Sequence, residues 1–118
     1  MTTAAELTTR RCRACESGVP ALTAPQQPDY LAAVPAWKLT GDGKRIRREW
    51  RVKDFATALD FFRRVGDVAE QEDHHPDLHL TGYRNVALEL STHAVGGLTE
   101  NDFILAAKID QLPVELKT

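Results

Sequence analysis

The sequence places all four histidines of the 118-residue chain, His74, His75, His79 and His93, within DHHPDLHLTGYRNVALELSTHAVGG, Asp73 to Gly97. Histidine titrates near neutral pH, so a positioned pair can donate one proton and accept another under working conditions. Three readings compete for such a cluster. The side chains could be solvated loop histidines. They could ligate a metal, but neighbours on a strand point to opposite faces, which suits His74-His75 poorly to chelation. The spacing also matches no HExxH or Cys/His zinc pattern. The third reading is metal-free acid/base catalysis. Nucleophilic catalysis has little support, because Ser91 lies near His93 without a nucleophile elbow around it. Gly96-Gly97 is too short to read as a phosphate loop.

The elements that would position these residues follow from periodicity. Residues 1–27, rich in Thr, Ala, Pro and Gln, are expected to be weakly ordered, and residues 28–118 to form one domain. Asp29 to Val34 suits a short helix that Pro35 interrupts. Ala36–Thr40 and Lys44–Val52 read as strands around the Gly41-Asp42-Gly43 turn. In the second, Ile46, Trp50 and Val52 share one parity and Arg45, Arg47, Glu49 and Arg51 the other, with Arg48 the exception on the apolar side. Lys53 to Asp73 reads as a long helix capped by Asp54, with Phe55, Ala58, Leu59, Phe62, Val65 and Ala69 as its buried stripe.

Asp77–Thr81 and Tyr83–Thr92 then read as two more strands separated near Gly82. Continued to His93, the second would place that histidine on the face of Ala87, Glu89 and Ser91, away from Val86, Leu88 and Leu90. Thr99 to Asp102 fits a capping box, and Leu98 with Phe103 a hydrophobic staple, at the start of a last helix that Pro113 closes. The predicted order is β-β-α-β-β-α. It implies an α+β fold with a four-stranded antiparallel sheet covered by helices on one face.

Composition narrows the function classes. The net charge of −2 gives no global reason to expect nucleic acid or an anionic membrane as partner. No apolar run approaches the ~18 residues of a membrane span, and the N-terminus has no uninterrupted apolar stretch of signal type. A cytoplasmic protein is the expectation, in which Cys12 and Cys15 are reduced thiols. A chain of this size gains buried apolar surface by oligomerising.

Taken together, the chemistry-bearing residues are similar to the signature of the pterin-4a-carbinolamine dehydratases, also called 4a-hydroxytetrahydrobiopterin dehydratases. Glu70 is followed after three residues by His74-His75-Pro76, after six more by Tyr83, after nine by His93 and after eight by Asp102. The resemblance runs from about Cys12 to Ile109, including CRACESGVPALT, Trp37 and THAVGGLTENDFILAAKID. The gap before Tyr83 and the Cys-x-x-Cys resemble the form common in bacteria and plastids.

The resemblance implies loss of the hydroxyl on ring carbon 4a of a tetrahydropterin as water, giving quinonoid dihydropterin. One group protonates the departing oxygen and another takes the proton from ring nitrogen 5. Carried over, His74 and His93 are the acid/base residues, in either assignment, and His75 is chiefly a substrate contact. Pro76, Thr92, Ala94 and Val95 would hold the pterin ring by their backbone, with Glu70, Tyr83 and Asp102 in support. No metal and no cofactor are implied, since the pterin is the substrate. A functional link to phenylalanine hydroxylase and a homo-oligomer, tetramer or dimer, are also implied.

Each flanking residue has a plainer reading beside it. Glu70 suits a solvated helix end, Asp102 a helix cap, Tyr83 and Trp37 core aromatics, His79 the surface and the arginines a solvated strand face. Two cysteines make half a zinc site. Animal relatives also act as a dimerisation cofactor for a homeodomain transcription factor, and some plastid relatives resemble assembly factors for the carbon-fixing carboxylase. A non-catalytic binding module is therefore the alternative, and intact His74, His75 and His93 favour the enzyme.

Overall fold

The computed structural model of the protein describes residues 2–13 and 19–118. Its elements are helices α1 (Ala4–Thr9) and α2 (Gln27–Ala33), strands β1 (Lys38–Leu39) and β2 (Ile46–Arg51), helix α3 (Phe55–Glu72), strands β3 (Asp77–Thr81) and β4 (Asn85–Leu90), and helix α4 (Glu100–Asp110). The four strands form one antiparallel sheet in the order β1-β2-β4-β3. The fold is α+β, as the alternation of strand and helix patterns implies.

Register explains why the sheet has one buried face. Ile46 pairs with Leu90 and Trp50 with Val86, and all four side chains enter the core. Burying each such side chain stabilises the fold by roughly 1.5–3 kcal/mol. The intervening residues pair Arg47 with Glu89 and Glu49 with Ala87 on the opposite, polar face. There Glu89 takes Arg47 at 2.6 Å and Arg45 at 3.3 Å. Arg48, the exception in the sequence pattern, lies on the apolar side with its guanidinium 4.5 Å from the Trp50 ring centre and 2.6 Å from Asp110 Oδ1.

Asp54 caps α3 by accepting the Thr57 N–H at 2.8 Å. The buried stripe is rotated from the expected one. Ala58, Phe61, Val65 and Ala69 face the core, while Phe55 and Leu59 are each 49% exposed. Two apolar stripes lie side by side on this helix, and periodicity alone did not show which one meets the sheet. Phe61 settles it by packing edge-on against Trp50, 5.1 Å between ring centres.

Two elements differ from the sequence pattern. The first strand is only Lys38–Leu39, because Trp37 turns into the core and its Nε1–H donates to Asp110. The N-terminal segment, read as weakly ordered, contains α1, whose Leu7 is fully buried and which packs on α4. A single apolar residue held by a long-range contact leaves no period in the sequence.

Helix α4 runs through the middle of the packing, with Asn101 to Ala107 and Ile109 all buried. The capping box at Thr99 and Asp102 is present, and Leu98 and Phe103, the expected staple, are both buried. No helix among the described residues is long and apolar enough to cross a membrane.

Candidate active site

His74 is placed by the end of α3. Asp73 adopts the left-handed conformation (φ 51°) that closes the helix, and the His74 N–H returns to the Ala69 carbonyl at 3.2 Å. This C-terminal closure turns the His74 side chain inward, where it is 6% exposed. Its Nε2 lies 2.6 Å from Asp102 Oδ1. Asp102 itself is fully buried. Its Oδ2 accepts the Thr99 N–H at 2.9 Å and the Thr92 hydroxyl at 2.9 Å. An ionised carboxylate can only accept, so the hydrogen-bond network assigns the proton to His74 Nε2 and leaves Nδ1 as the ring's acceptor nitrogen. Asp102 is therefore more than a helix cap: one oxygen caps α4 and the other orients a histidine.

Strand β4 ends at Leu90, before His93. His93 opens a 3₁₀ turn, His93–Val95, closed by the Gly96 N–H donating to the His93 carbonyl at 3.1 Å. The loop is pinned at its base by a bridge between Thr92 and Gly97. His93 therefore does not continue the strand, and its exposure comes from the loop rather than from strand parity. An open depression of about 320 Å³ lies there, lined by Asp42, Lys44, Arg45, Ser91, Thr92, His93 and Gly96. Its size suits a small bicyclic molecule.

Asp102 links the two histidines. One carboxylate holds His74 through Oδ1 and, through Oδ2, the residue next to His93. Thr92 was expected to act by its backbone. Its side chain is 1% exposed and also pairs with the Thr99 hydroxyl at 2.8 Å.

The remaining expected residues divide. His75 is exposed beside Pro76, with its Nε2 3.4 Å from Glu70 Oε2, a loose surface pair. Ala94 and Val95 lie in the 3₁₀ turn. Tyr83 does not join this group. It sits in the β3–β4 turn in the left-handed region (φ 56°), beside the Arg84 guanidinium. The length of β3, about 13 Å at ~3.3 Å per step, separates it from His75. Trp37 is core. His79 lies on the polar sheet face, paired with Ala87. A larger depression, about 580 Å³, opens there among Arg47, Glu49, Arg51, His79 and Asn85, away from His74 and His93.

Cys12 is half-buried. Burial first, and the Glu72 carboxylate second, push its thiol up to about 12, which makes it a poor nucleophile or metal ligand as placed. Cys15 lies outside the described residues. Among the described residues no group of three or more His, Cys, Asp or Glu side chains could hold a metal ion.

The model of the pterin 4 alpha carbinolamine dehydratase family matches residues 20–112, which include every residue of this site. The chain belongs to that family. Within it, the chain is 53% identical over 114 residues to pterin-4-alpha-carbinolamine dehydratase 2, mitochondrial, of Arabidopsis thaliana; this covers 94% of the chain and 61% of that relative. A protein of Methylococcus capsulatus is 43% identical over 112 residues and is covered to 97% of its length. A crystal structure of a transcriptional coactivator/pterin dehydratase from Brucella melitensis superposes with a TM-score of 0.72 at 33% identity, over 77% of this chain and 96% of that one. A pterin dehydratase-like protein described as a RuBisCO assembly factor in the alpha-carboxysome shares the fold alone. Its TM-score is 0.53 at 18% identity, over 64% of this chain and 86% of that one. A fold shared at this level does not by itself decide between chemistry and binding, so the site has to.

Proposed function

We propose that the protein dehydrates 4a-hydroxytetrahydropterin to the quinonoid dihydropterin, recycling the pterin of an aromatic amino acid hydroxylase, by metal-free histidine acid/base catalysis. The observation that carries this reading is the buried His74–Asp102 pair at 2.6 Å, joined through Thr92 to the turn that presents His93. A helix cap needs no histidine, and a binding surface needs no oriented one.

His74 Nδ1 takes the proton from ring nitrogen 5, and Asp102 stabilises the imidazolium that forms. The nitrogen 5 electron pair closes the double bond to carbon 4a. The bond from carbon 4a to the hydroxyl breaks, and His93, exposed in its turn and acting as the general acid, gives a proton to the departing oxygen, which leaves as water. His75 and the backbone of Pro76, Thr92, Ala94 and Val95 hold the ring. Glu70 restrains His75. The released imidazole and imidazolium exchange protons with solvent before the next turnover.

The protein is further proposed to act as a homotetramer of two dimers. Phe55 and Leu59, each 49% exposed on α3, offer an apolar stripe for a second copy.

The test is the rate of dehydration of freshly generated 4a-hydroxytetrahydropterin with and without the protein. Acceleration over the spontaneous reaction, saturating with pterin, is expected. No acceleration would leave the fold to a binding role.

A further inference from the structure

Two buried polar side chains are used by none of the chemistry above, and each stands beside a member of the His74–Asp102 pair. Glu72, in the last turn of α3, is 9% exposed. A carboxylate there is unfavourable twice over, from burial and from the helix dipole. It is matched by Lys108 Nζ at 2.9 Å and by the Cys12 N–H at 2.8 Å. Burial pushes the Glu72 carboxyl up, but these bonds outweigh it and hold it below the ordinary range. Asn101, next to Asp102, is 1% exposed. Its side chain grips the backbone of Arg13 on both sides: Oδ1 accepts the Arg13 N–H at 3.0 Å, and Nδ2 donates to the Arg13 carbonyl at 2.7 Å. The Cys12 thiol donates to the Asn101 carbonyl at 3.5 Å, and Arg11 reaches the Gln71 carbonyl at 3.3 Å.

Arg11 to Arg13 therefore run as a strap between the end of α3 and the start of α4. Glu72 precedes His74 by two residues, and Asn101 precedes Asp102 by one. The region matched by the family begins at residue 20, so the strap lies outside it while both anchors lie within.

We infer that Glu72 and Asn101 are positioning residues: by holding the Cys12–Arg13 segment between them they clamp α3 to α4 and fix the gap across which His74 meets Asp102. The catalytic part of this rests on the reading of His74 given above. Acid/base groups must be held within about 0.5 Å of their working geometry, and a displacement of about 1 Å costs roughly 10²-fold. Releasing the strap should therefore lower kcat while KM, set by His75 and the loop at Thr92–Val95, changes little.

The experiment uses the full chain with Cys15→Ser, so that alkylation by iodoacetamide reads Cys12 alone. The variants are Asn101→Ala, Glu72→Ala, Glu72→Gln, which keeps an acceptor for the Cys12 N–H, and Arg13→Pro. The last removes the Arg13 N–H from the strap side without touching a buried residue and keeps the test alive if Asn101→Ala fails to fold. Three readouts are taken: kcat and KM, the rate of Cys12 alkylation, and the downfield proton resonance of His74 Nε2–H, assigned by its loss in His74→Ala. In Asn101→Ala, Glu72→Ala and Arg13→Pro, kcat is expected to fall about 10- to 100-fold with KM within about 3-fold. Cys12 is expected to alkylate faster and the resonance to broaden, with Glu72→Gln close to the parent. Cys12 freed with kcat and the resonance unchanged would overturn the inference. If His74→Ala itself keeps the parent kcat, the acid/base reading fails instead, and the resonance still judges the clamp.

Discussion

Replacing Asp102 by asparagine exchanges one oxygen of the buried carboxyl for an amide nitrogen and tests the centre of the site. Asp102 is fully buried and accepts from Thr99 N–H and Thr92 O–H, each at 2.9 Å, and from His74 Nε2 at 2.6 Å. The asparagine carbonyl can keep the two bonds made by Oδ2. Its NH₂ then faces His74 Nε2, where donor meets donor. The imidazole relieves the clash by moving its proton to Nδ1, which removes the lone pair needed to accept the pterin proton. The variant exchanges one charge-assisted buried bond for a neutral one, at a cost of about 1–2 kcal/mol. A domain with roughly 5–15 kcal/mol in hand still folds. The rate should fall much further, by roughly 10²–10⁴-fold, the range of general acid/base catalysis. The assay is the initial rate of dehydration with the spontaneous rate subtracted, alongside a melting curve to confirm folding. A folded Asp102→Asn protein with the parent kcat would refute the orienting role and return Asp102 to a helix cap.

Glu72 gives a pH dependence. Its folded carboxyl is held below the ordinary value, so its stabilisation is full above the unfolded carboxylate range and lost as pH falls through the folded value. In urea unfolding, the parent's advantage over Glu72→Gln should be constant from pH 7 to about 5 and shrink below about 4; an advantage that grows with acid would contradict the assignment. Cys12→Ser with Cys15→Ser is expected to keep activity within about 3-fold, since Cys12 contributes its backbone N–H to Glu72 and only a long thiol contact; stoichiometric zinc lost together with activity would count against it. Sedimentation equilibrium should show a tetramer, or a dimer, at micromolar concentration. Phe55→Glu with Leu59→Glu should shift it to a smaller species, and a monomeric parent would refute the assembly.

The sheet was legible because one parity of β2 and β4 is apolar and the other charged, and period two fixes the faces. The caps at Asp54 and Thr99 were legible because capping is local chemistry, read within four residues. The rotation of α3 was not, since two apolar stripes fit the same period and only Trp50 against Phe61 chooses between them. Within the site, joint spacing singled out His74, His75, His93 and Asp102. It also drew in Tyr83, which the length of β3 carries away. The double duty of Asp102 and the side-chain role of Thr92 were hidden, because they arise where α3, the loop after β4 and the start of α4 converge. The strap left no local signal at all: Cys12 and Glu72 stand 60 residues apart.

The assignment of the two proton transfers to His74 and His93 is tested most directly by the catalysed dehydration rate constant of purified, folded His74→Ala, His93→Ala and the double variant, with the spontaneous rate subtracted. Each single variant is expected to be slower by roughly 10²–10⁴-fold, and the double variant little slower than the worse single, because groups acting as one unit are not additive. Single variants that both keep the parent rate would contradict the account.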